Sequence, residues 1–287
     1  KRIRLATSGQ LGRVLLHRRQ AGSVPRPINN PNLGYDATRG SRPAGGTYGD
    51  LSTIRTWVTM RPIVLFEDNH LLVLNKPAML ATMGVDAARP SLVQVAKEYV
   101  RAKYQKPGNV YLGVVSRLDL PVSGVIVFAR TSKSAARLTR QFLERTVEKT
   151  YWALVWPPLP SDEGVLRDWL LRDEPSRRML VRQRPAPGAQ SAVTRYRVRR
   201  TTATRQWLEL RPETGRRHQL RAQLAAHGCP ILGDRRYGSS ETFPRGIALH
   251  SRSLTLEHPT RKVRLTWEAP LPGAWPDDGL HEDAAPL

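Results

Sequence analysis

An α+β fold, with a mixed, largely antiparallel central sheet and helices packed against it, is what the order of elements in this chain predicts. Three observations carry the expectation. A hairpin of short apolar strands opens the patterned region, strands and amphipathic helices then alternate irregularly, and no glycine-rich phosphate loop follows the first strand, which disfavours a doubly wound nucleotide-binding sheet. With 287 residues, 40% of them hydrophobic, the chain can bury a sizeable core.

Residues 1–60 stand apart. They are rich in Arg, Gly, Pro and Asn, contain only Asp36 and Asp50 as acids, and show no sustained periodicity, so they read as a basic extension. Its Arg-rich, acid-poor composition resembles what remains after cleavage of an organellar transit peptide, which points to a mitochondrial setting, with a bacterial cytoplasm as the alternative. We expect RNA or a protein partner to order it.

From Arg61 the pattern changes. Ile63-Val64-Leu65-Phe66 and Leu71-Leu72-Val73-Leu74 flank the turn-forming Glu67-Asp68-Asn69-His70 and predict a buried hairpin ending at Asn75-Lys76-Pro77. Ser91 caps a helix that buries Leu92, Val95, Ala96, Tyr99 and Val100. Val125-Ile126-Val127-Phe128-Ala129 is too short for a typical helix and rich in strand formers, and predicts a central strand. Thr131 or Ser132 opens a helix with Ala135, Leu138, Phe142 and Leu143 inward and Lys133, Arg137, Arg140 and Arg145 outward. Tyr151 to Trp156 returns as a strand. A charged stretch, Arg167 to Arg184, leads to strands around Val193–Val198 and Trp207–Leu210. After Gly215 a helix places Leu220, Leu224 and Ala225 on one side and stops at Gly228. The folded domain is expected over 61–272, and 273–287 form an acidic tail carrying Asp277, Asp278, Glu282 and Asp283.

The charge narrows the function. Lys and Arg number 46 against 24 Asp and Glu, a net +22 spread along the whole chain, so a polyanion is the expected partner. The single cysteine, Cys229, excludes an intramolecular disulfide and a Cys-rich zinc site and reads as a small buried hydrophobe. No apolar run approaches the ~18 residues of a membrane-spanning helix, and we expect neither a membrane partner nor a metal.

One loop carries the chemistry: Ser116-Arg117-Leu118-Asp119-Leu120-Pro121-Val122-Ser123-Gly124 sets a carboxylate at the entrance to the central strand. An Asp among Pro and Gly is ordinarily a turn former. Here, however, Arg117-Leu118-Asp119 with Ser123-Gly124 resembles the catalytic loop of RluA-type RNA pseudouridine synthases, and further blocks match in order. Glu67 to Pro77 is similar to that family's first hairpin, and Lys149-Thr150-Tyr151-Trp152-Ala153-Leu154-Val155 to its tyrosine motif. Thr214-Gly215-Arg216-Arg217-His218-Gln219-Leu220-Arg221, continuing to Pro230-Ile231-Leu232-Gly233-Asp234 and Tyr237-Gly238, resembles its C-terminal signature. Leu249-His250 to Glu268-Ala269-Pro270 resembles its closing strands.

The resemblance implies a pseudouridine synthase fold over 61–272 with an RNA cleft, and isomerisation of uridine to pseudouridine without metal or organic cofactor. It implies Asp119 as nucleophile, attacking either carbon 1 of the ribose or carbon 6 of the base, with Arg221 as its ion-pair partner. Tyr151 would stack on the target uracil and assist proton removal at carbon 5. Without the resemblance, Arg221 reads as a helix-surface charge and Tyr151 as core. Arg117, Lys133, Arg137, Arg140, Arg216, Arg217 and His218 are the expected phosphate contacts, offsetting the unstacking cost of extracting a base. The chain departs from the family pattern at two positions, Ser116 in place of histidine before Arg-Leu-Asp and Val122 in place of threonine before Ser-Gly. The leading expectation is an enzyme acting on structured RNA, most plausibly ribosomal RNA, in contact with ribosomal or assembly-factor proteins through residues 1–60. The alternative is a ribosome-assembly factor that uses the cleft for binding with little or no catalysis.

Overall fold

The computed structural model of the chain describes residues 14–16, 61–84 and 90–276. The acids of the expected tail, and the expected extension apart from Val14–Leu16, lie outside the described residues. In chain order the elements are β1 (Val14–Leu16), β2 (Ile63–Glu67), β3 (Leu71–Lys76), α1 (Leu92–Tyr104), β4 (Gly113–Val114), β5 (Ser123–Ala129), α2 (Ser132–Leu143), β6 (Glu148–Val155), β7 (Glu163–Asp173), β8 (Arg178–Arg182), β9 (Gln190–Thr201), β10 (Gln206–Pro212), α3 (Gln219–Ala226), β11 (Leu249–Glu257) and β12 (Arg264–Glu268), with a 3-10 turn at Arg235–Tyr237 between α3 and β11.

The strands join one sheet in the order β2-β3-β5-β11-β6-β10-β9-β7-β8, with β12 bridging β11 to β1 and β4 pairing β5. Among the described strands every pairing is antiparallel except β5 with β11, where His250 faces Ser123 and Ser251 faces Gly124. That parallel pair brings the loop before β5 to the same end of the sheet as the start of β11. Gly124 makes the approach possible: at φ +115 its backbone lies so close that a Cβ would sit 2.2 Å from the Ser251 carbonyl oxygen, which only glycine tolerates.

The expected elements form where their patterns put them. β5 is buried along its whole length, as its unbroken apolar run requires for a strand covered on both faces. α1 starts at Ser91, whose N–H donates to Gln94 Oε1 at 2.8 Å, one half of a capping box. Thr131 Oγ1 accepts from the Ser134 N–H at the start of α2. Cys229 is fully buried, and burial pushes its thiol up to about 12.

The structure corrects the pattern in several places. Leu143, expected inward, is 77% exposed. Ala135, Leu138 and Phe142 share a face at i, i+3 and i+7, and Leu143 lies about 100° further round as the helix ends. Tyr99 is only half-buried, because its hydroxyl reaches Glu67 at 2.8 Å. The stretch Arg167–Arg184 holds most of a hairpin, the latter part of β7 and all of β8. Its alternation is masked because the inward position between Leu166 and Leu170 is Asp168, which accepts from Gln223 Nε2 at 2.7 Å. Finally, the packed chain runs past residue 272: Trp275 is 6% exposed and its ring lies 5.4 Å from that of Trp207.

Candidate active site

The loop bearing Asp119 is clamped residue by residue. Thr82 Oγ1 donates to the Leu118 carbonyl at 2.8 Å and accepts from the Leu118 N–H at 3.1 Å. The Leu120 carbonyl accepts from the Met79 N–H at 2.8 Å and the Pro121 carbonyl from the Ile247 N–H at 3.3 Å, while Val122 N–H closes a turn onto the Asp119 carbonyl at 3.1 Å. Val122 itself is buried in the core formed with β6, β10 and α3, so the apolar residue standing at the family's threonine position is a packing residue here.

Beneath the loop lies Lys76, fully buried at the end of β3. Its ammonium donates to the carbonyls of Leu80 (2.7 Å), Pro77 (3.0 Å) and Leu120 (3.3 Å). Burial pulls its pKa down to about 7, and the nearby Asp119 carboxylate opposes that fall.

Asp119 itself is 29% exposed at its side chain. Its Oδ2 accepts from Arg221 Nη1 at 3.0 Å. Arg221 is held by a two-pronged pair with Asp234, Nε to Oδ2 at 2.6 Å and Nη2 to Oδ1 at 2.8 Å, a geometry that fixes the guanidinium plane. Burial alone would lower the Arg221 pKa, but the two carboxylates raise it. His218 Nε2 stands 3.8 Å from the same Asp119 oxygen, and His218 Nδ1 is 2.9 Å from the Tyr237 hydroxyl. Among the described residues nothing hydrogen-bonds the other oxygen, Oδ1. The arrangement can therefore present a carboxylate with one oxygen anchored and one open.

Tyr151 enters from β6, half-buried and opposite Ser251 in the ladder. Burial pushes its phenol up to about 12, Asp119 adds to that, and a hydrogen bond with Ser251 opposes it. The group is thus a neutral phenol near pH 7, suited to stacking and hydrogen-bonding.

α3 can supply Arg221 because its interior is polar. Gln219, Arg221 and Gln223 are buried as well as Leu220 and Leu224, whereas the pattern predicts one apolar side; Ala225 is half-buried. Gln219 donates to Thr194 Oγ1 at 2.9 Å and accepts from Thr214 Oγ1 at 2.8 Å, so these side chains are satisfied.

The structure thus brings Asp119, Arg221 and His218 together, with Tyr151 near enough for the Asp119 charge to act on its phenol. Arg117 and Arg217 are exposed near them in sequence, and Arg216 Nε donates to the Ser191 carbonyl at 3.1 Å. The α2 residues are not gathered at the carboxylate: Lys133 is exposed, Arg137 donates to the Pro259 carbonyl at 2.9 Å, and Arg140 pairs with Glu144 at 3.0 Å. Sequence reasoning assigned no role to Lys76, Thr82, Asp234 or Tyr237. Lys76, Asp234 and Tyr237 lie inside matching blocks, so a search for polar partners of Arg221 there would have found Asp234.

The RNA pseudouridylate synthase family model matches residues 70–226, a span that contains Asp119, Tyr151 and Arg221. The chain belongs to that family. It is an RluA-type synthase, and hence an isomerase. It is 35% identical over 212 residues to "Uncharacterized RNA pseudouridine synthase YhcT" of Bacillus subtilis, covering 73% of this chain and 68% of the relative. It is 36% identical over 214 residues to "Dual-specificity RNA pseudouridine synthase RluA" of Escherichia coli K12, covering 72% and 92%. Among solved structures it is similar to "Human RNA Pseudouridylate Synthase Domain Containing 4", with a TM-score of 0.62 at 27% identity over 74% of this chain and 89% of the other. The synthase fold has the mixed, largely antiparallel sheet that the order of elements predicts.

Proposed function

We propose that this pseudouridine synthase acts on structured ribosomal RNA, with Asp119 as nucleophile, Arg221 as its anchor and Tyr151 as the platform for the flipped uracil. The observation that carries the reading is the Asp119 carboxylate, bound through one oxygen to an arginine that Asp234 holds rigid and open at the other. The open oxygen attacks carbon 1 of the ribose or carbon 6 of the base. The bond from carbon 1 to nitrogen 1 breaks, the uracil turns, and its carbon 5 bonds to carbon 1. The bond between Asp119 and the attacked carbon breaks, displaced by carbon 5 on the first route or eliminated from carbon 6 on the second, and the carboxylate is regenerated. Carbon 5 then loses its proton and nitrogen 1 gains one, so the net change is an isomerisation. Pre-organisation of the nucleophile is the protein's contribution, since a carboxylate fixed by a buried guanidinium needs no rearrangement to react.

The neutral Tyr151 phenol favours stacking over proton abstraction. Exposed apolar side chains stand on the loop and beside it, Leu120 and Met79 at 47% and 48% exposure, and they suit contact with unstacked bases. Arg117, Arg216 and Arg217, with Lys133, Arg137 and Arg140 farther off, would bind phosphates of the flanking RNA. Residues 1–60 would add RNA or ribosomal-protein contacts, and their acid-poor, arginine-rich composition supports action in mitochondria during ribosome maturation.

The test is to map pseudouridine by carbodiimide-dependent reverse-transcription stops in cells that carry wild type or Asp119→Asn. One or more ribosomal stops should vanish with the variant. If none vanishes, while ribosome assembly still requires the protein, the chain acts as an RNA-binding assembly factor instead.

A further inference from the structure

We infer that His218 and Tyr237 are a positioning pair for the nucleophile: the Tyr237 hydroxyl decides which imidazole nitrogen carries the proton, so that an Nε2–H faces the anchored oxygen of Asp119. The inference rests on Asp119 being the nucleophile.

The argument is a count of donors. The Met179 N–H, from β8, donates to the Tyr237 hydroxyl oxygen at 3.0 Å. A backbone N–H can only donate, so the phenolic proton remains free, and it points to the group 2.9 Å away, His218 Nδ1. A neutral imidazole with Nδ1 accepting must carry its proton on Nε2, the nitrogen 3.8 Å from Asp119 Oδ2. At that distance the N–H dipole faces the carboxylate and closes to a hydrogen bond with a shift of about 1 Å, as such contacts do when substrate loads.

Two further features belong to the same device. His218 adopts a left-handed backbone, φ 49, at the start of α3, a strained arrangement for a non-glycine residue and one found where structure holds a side chain to a task. Tyr237 also addresses the other anchor: the Arg221 guanidinium carbon lies 5.1 Å from its ring centroid, and the His218 ring meets it edge-on at 5.8 Å. One tyrosine thus steadies both groups that engage Oδ2, which leaves Oδ1 for the substrate. The charged groups facing His218 are Asp119, Arg221, Arg217 and Arg236; burial and the three arginines lower its pKa against the pull of Asp119.

Three variants and two readouts test the pair. Nitrogen-15 NMR of wild type at neutral pH should show His218 with Nε2 protonated and Nδ1 bare, and Tyr237→Phe should average the two shifts. A wild-type Nδ1–H overturns the inference. Turnover is read as tritium release from in vitro-transcribed ribosomal RNA labelled at uridine carbon 5. His218→Gln, whose amide nitrogen stands in for Nε2, should keep kcat within about threefold, and His218→Asn, which stands in only for Nδ1, should lose about tenfold in kcat at unchanged KM, about 1.4 kcal/mol of barrier. Tyr237→Phe should be impaired at pH 8 and recover only as pH falls below the ordinary histidine value of about 6.5, because an imidazolium carries Nε2–H without help and burial holds the His218 pKa down. An Asn variant more active than the Gln variant, or a Tyr237→Phe defect constant with pH, assigns both residues to packing alone. If wild type itself releases no tritium, the proposed function fails, and the nitrogen shifts still decide the pair.

Discussion

Two carboxylates in this protein each meet an arginine and a histidine, and they have opposite fates. Asp68, in the β2–β3 turn, is closed. Its Oδ1 accepts from the N–H groups of His70 (2.7 Å) and Leu71 (2.8 Å), and its Oδ2 takes His258 Nε2 at 2.8 Å and Arg261 Nη2 at 3.3 Å. Burial opposes ionisation, yet the His258 contact and the backbone donors pull its pKa down to about 2. Asp119 has the same partner types on one oxygen only, and its side chain is 29% exposed against 11% for Asp68. Saturating both oxygens makes a carboxylate into a structural cross-link. Saturating one leaves the other for substrate, as the proposed role of Asp119 requires.

Breaking the anchor should give the largest effect. Arg221→Met leaves Asp234, 2% exposed, without a cation, and should cost about 3–5 kcal/mol of stability by denaturant titration and abolish turnover. The double variant Arg221→Met with Asp234→Leu should regain most of that stability and none of the activity. If it regained activity, the anchor would be dispensable to the reaction.

The closed carboxylate gives the next effect. The folded pKa of Asp68 lies below its ordinary value of 3.8, so its contribution is complete above about pH 4 and is lost as pH falls toward 2. Its size is about 2 kcal/mol. Asp68→Asn should flatten the acid limb of the stability curve while leaving kcat at neutral pH near wild type.

Lys76 should act at the other end of the scale. Its folded pKa of about 7 lies below the ordinary lysine value, so the unfolded chain binds more protons between pH 7 and about 10.4, and this group makes stability rise with pH across that window. Lys76→Met should reduce the rise, as read by thermal unfolding at pH 7, 8.5 and 10. The smallest change belongs to the exposed cations: Arg117→Gln and Arg217→Gln should each lower the slope of log affinity against log salt by about 1, and an unchanged slope would remove that residue from the phosphate contacts.

Much of this was legible in the sequence, for reasons that differ by region. β5 and β3 announce themselves because their apolar runs are buried almost throughout, whereas β2, expected to be a buried strand, is an edge strand that is only partly covered, with Ile63 exposed. Asp119, Tyr151 and Arg221 were legible only through the resemblance, since an Asp in a turn and an Arg in a helix carry no signal of contact across 102 residues. The β7–β8 hairpin was illegible because a buried Asp168 breaks the apolar alternation, its partner Gln223 lying 55 residues away. Lys76 escaped notice for a related reason: a lysine reads as surface, and only the fold shows three carbonyls converging on it.

The central claim is that one oxygen of Asp119 is free to bond to substrate while Asp68 only braces the fold. Single-turnover tritium release from uridine-labelled ribosomal RNA, measured side by side for Asp119→Asn and Asp68→Asn with unfolding of each, tests it most directly. The account predicts at least a ~1,000-fold loss of rate with an unfolding midpoint close to wild type for Asp119→Asn, and the reverse for Asp68→Asn. Full turnover by the Asp119 variant, or equal losses of rate in both, would contradict it.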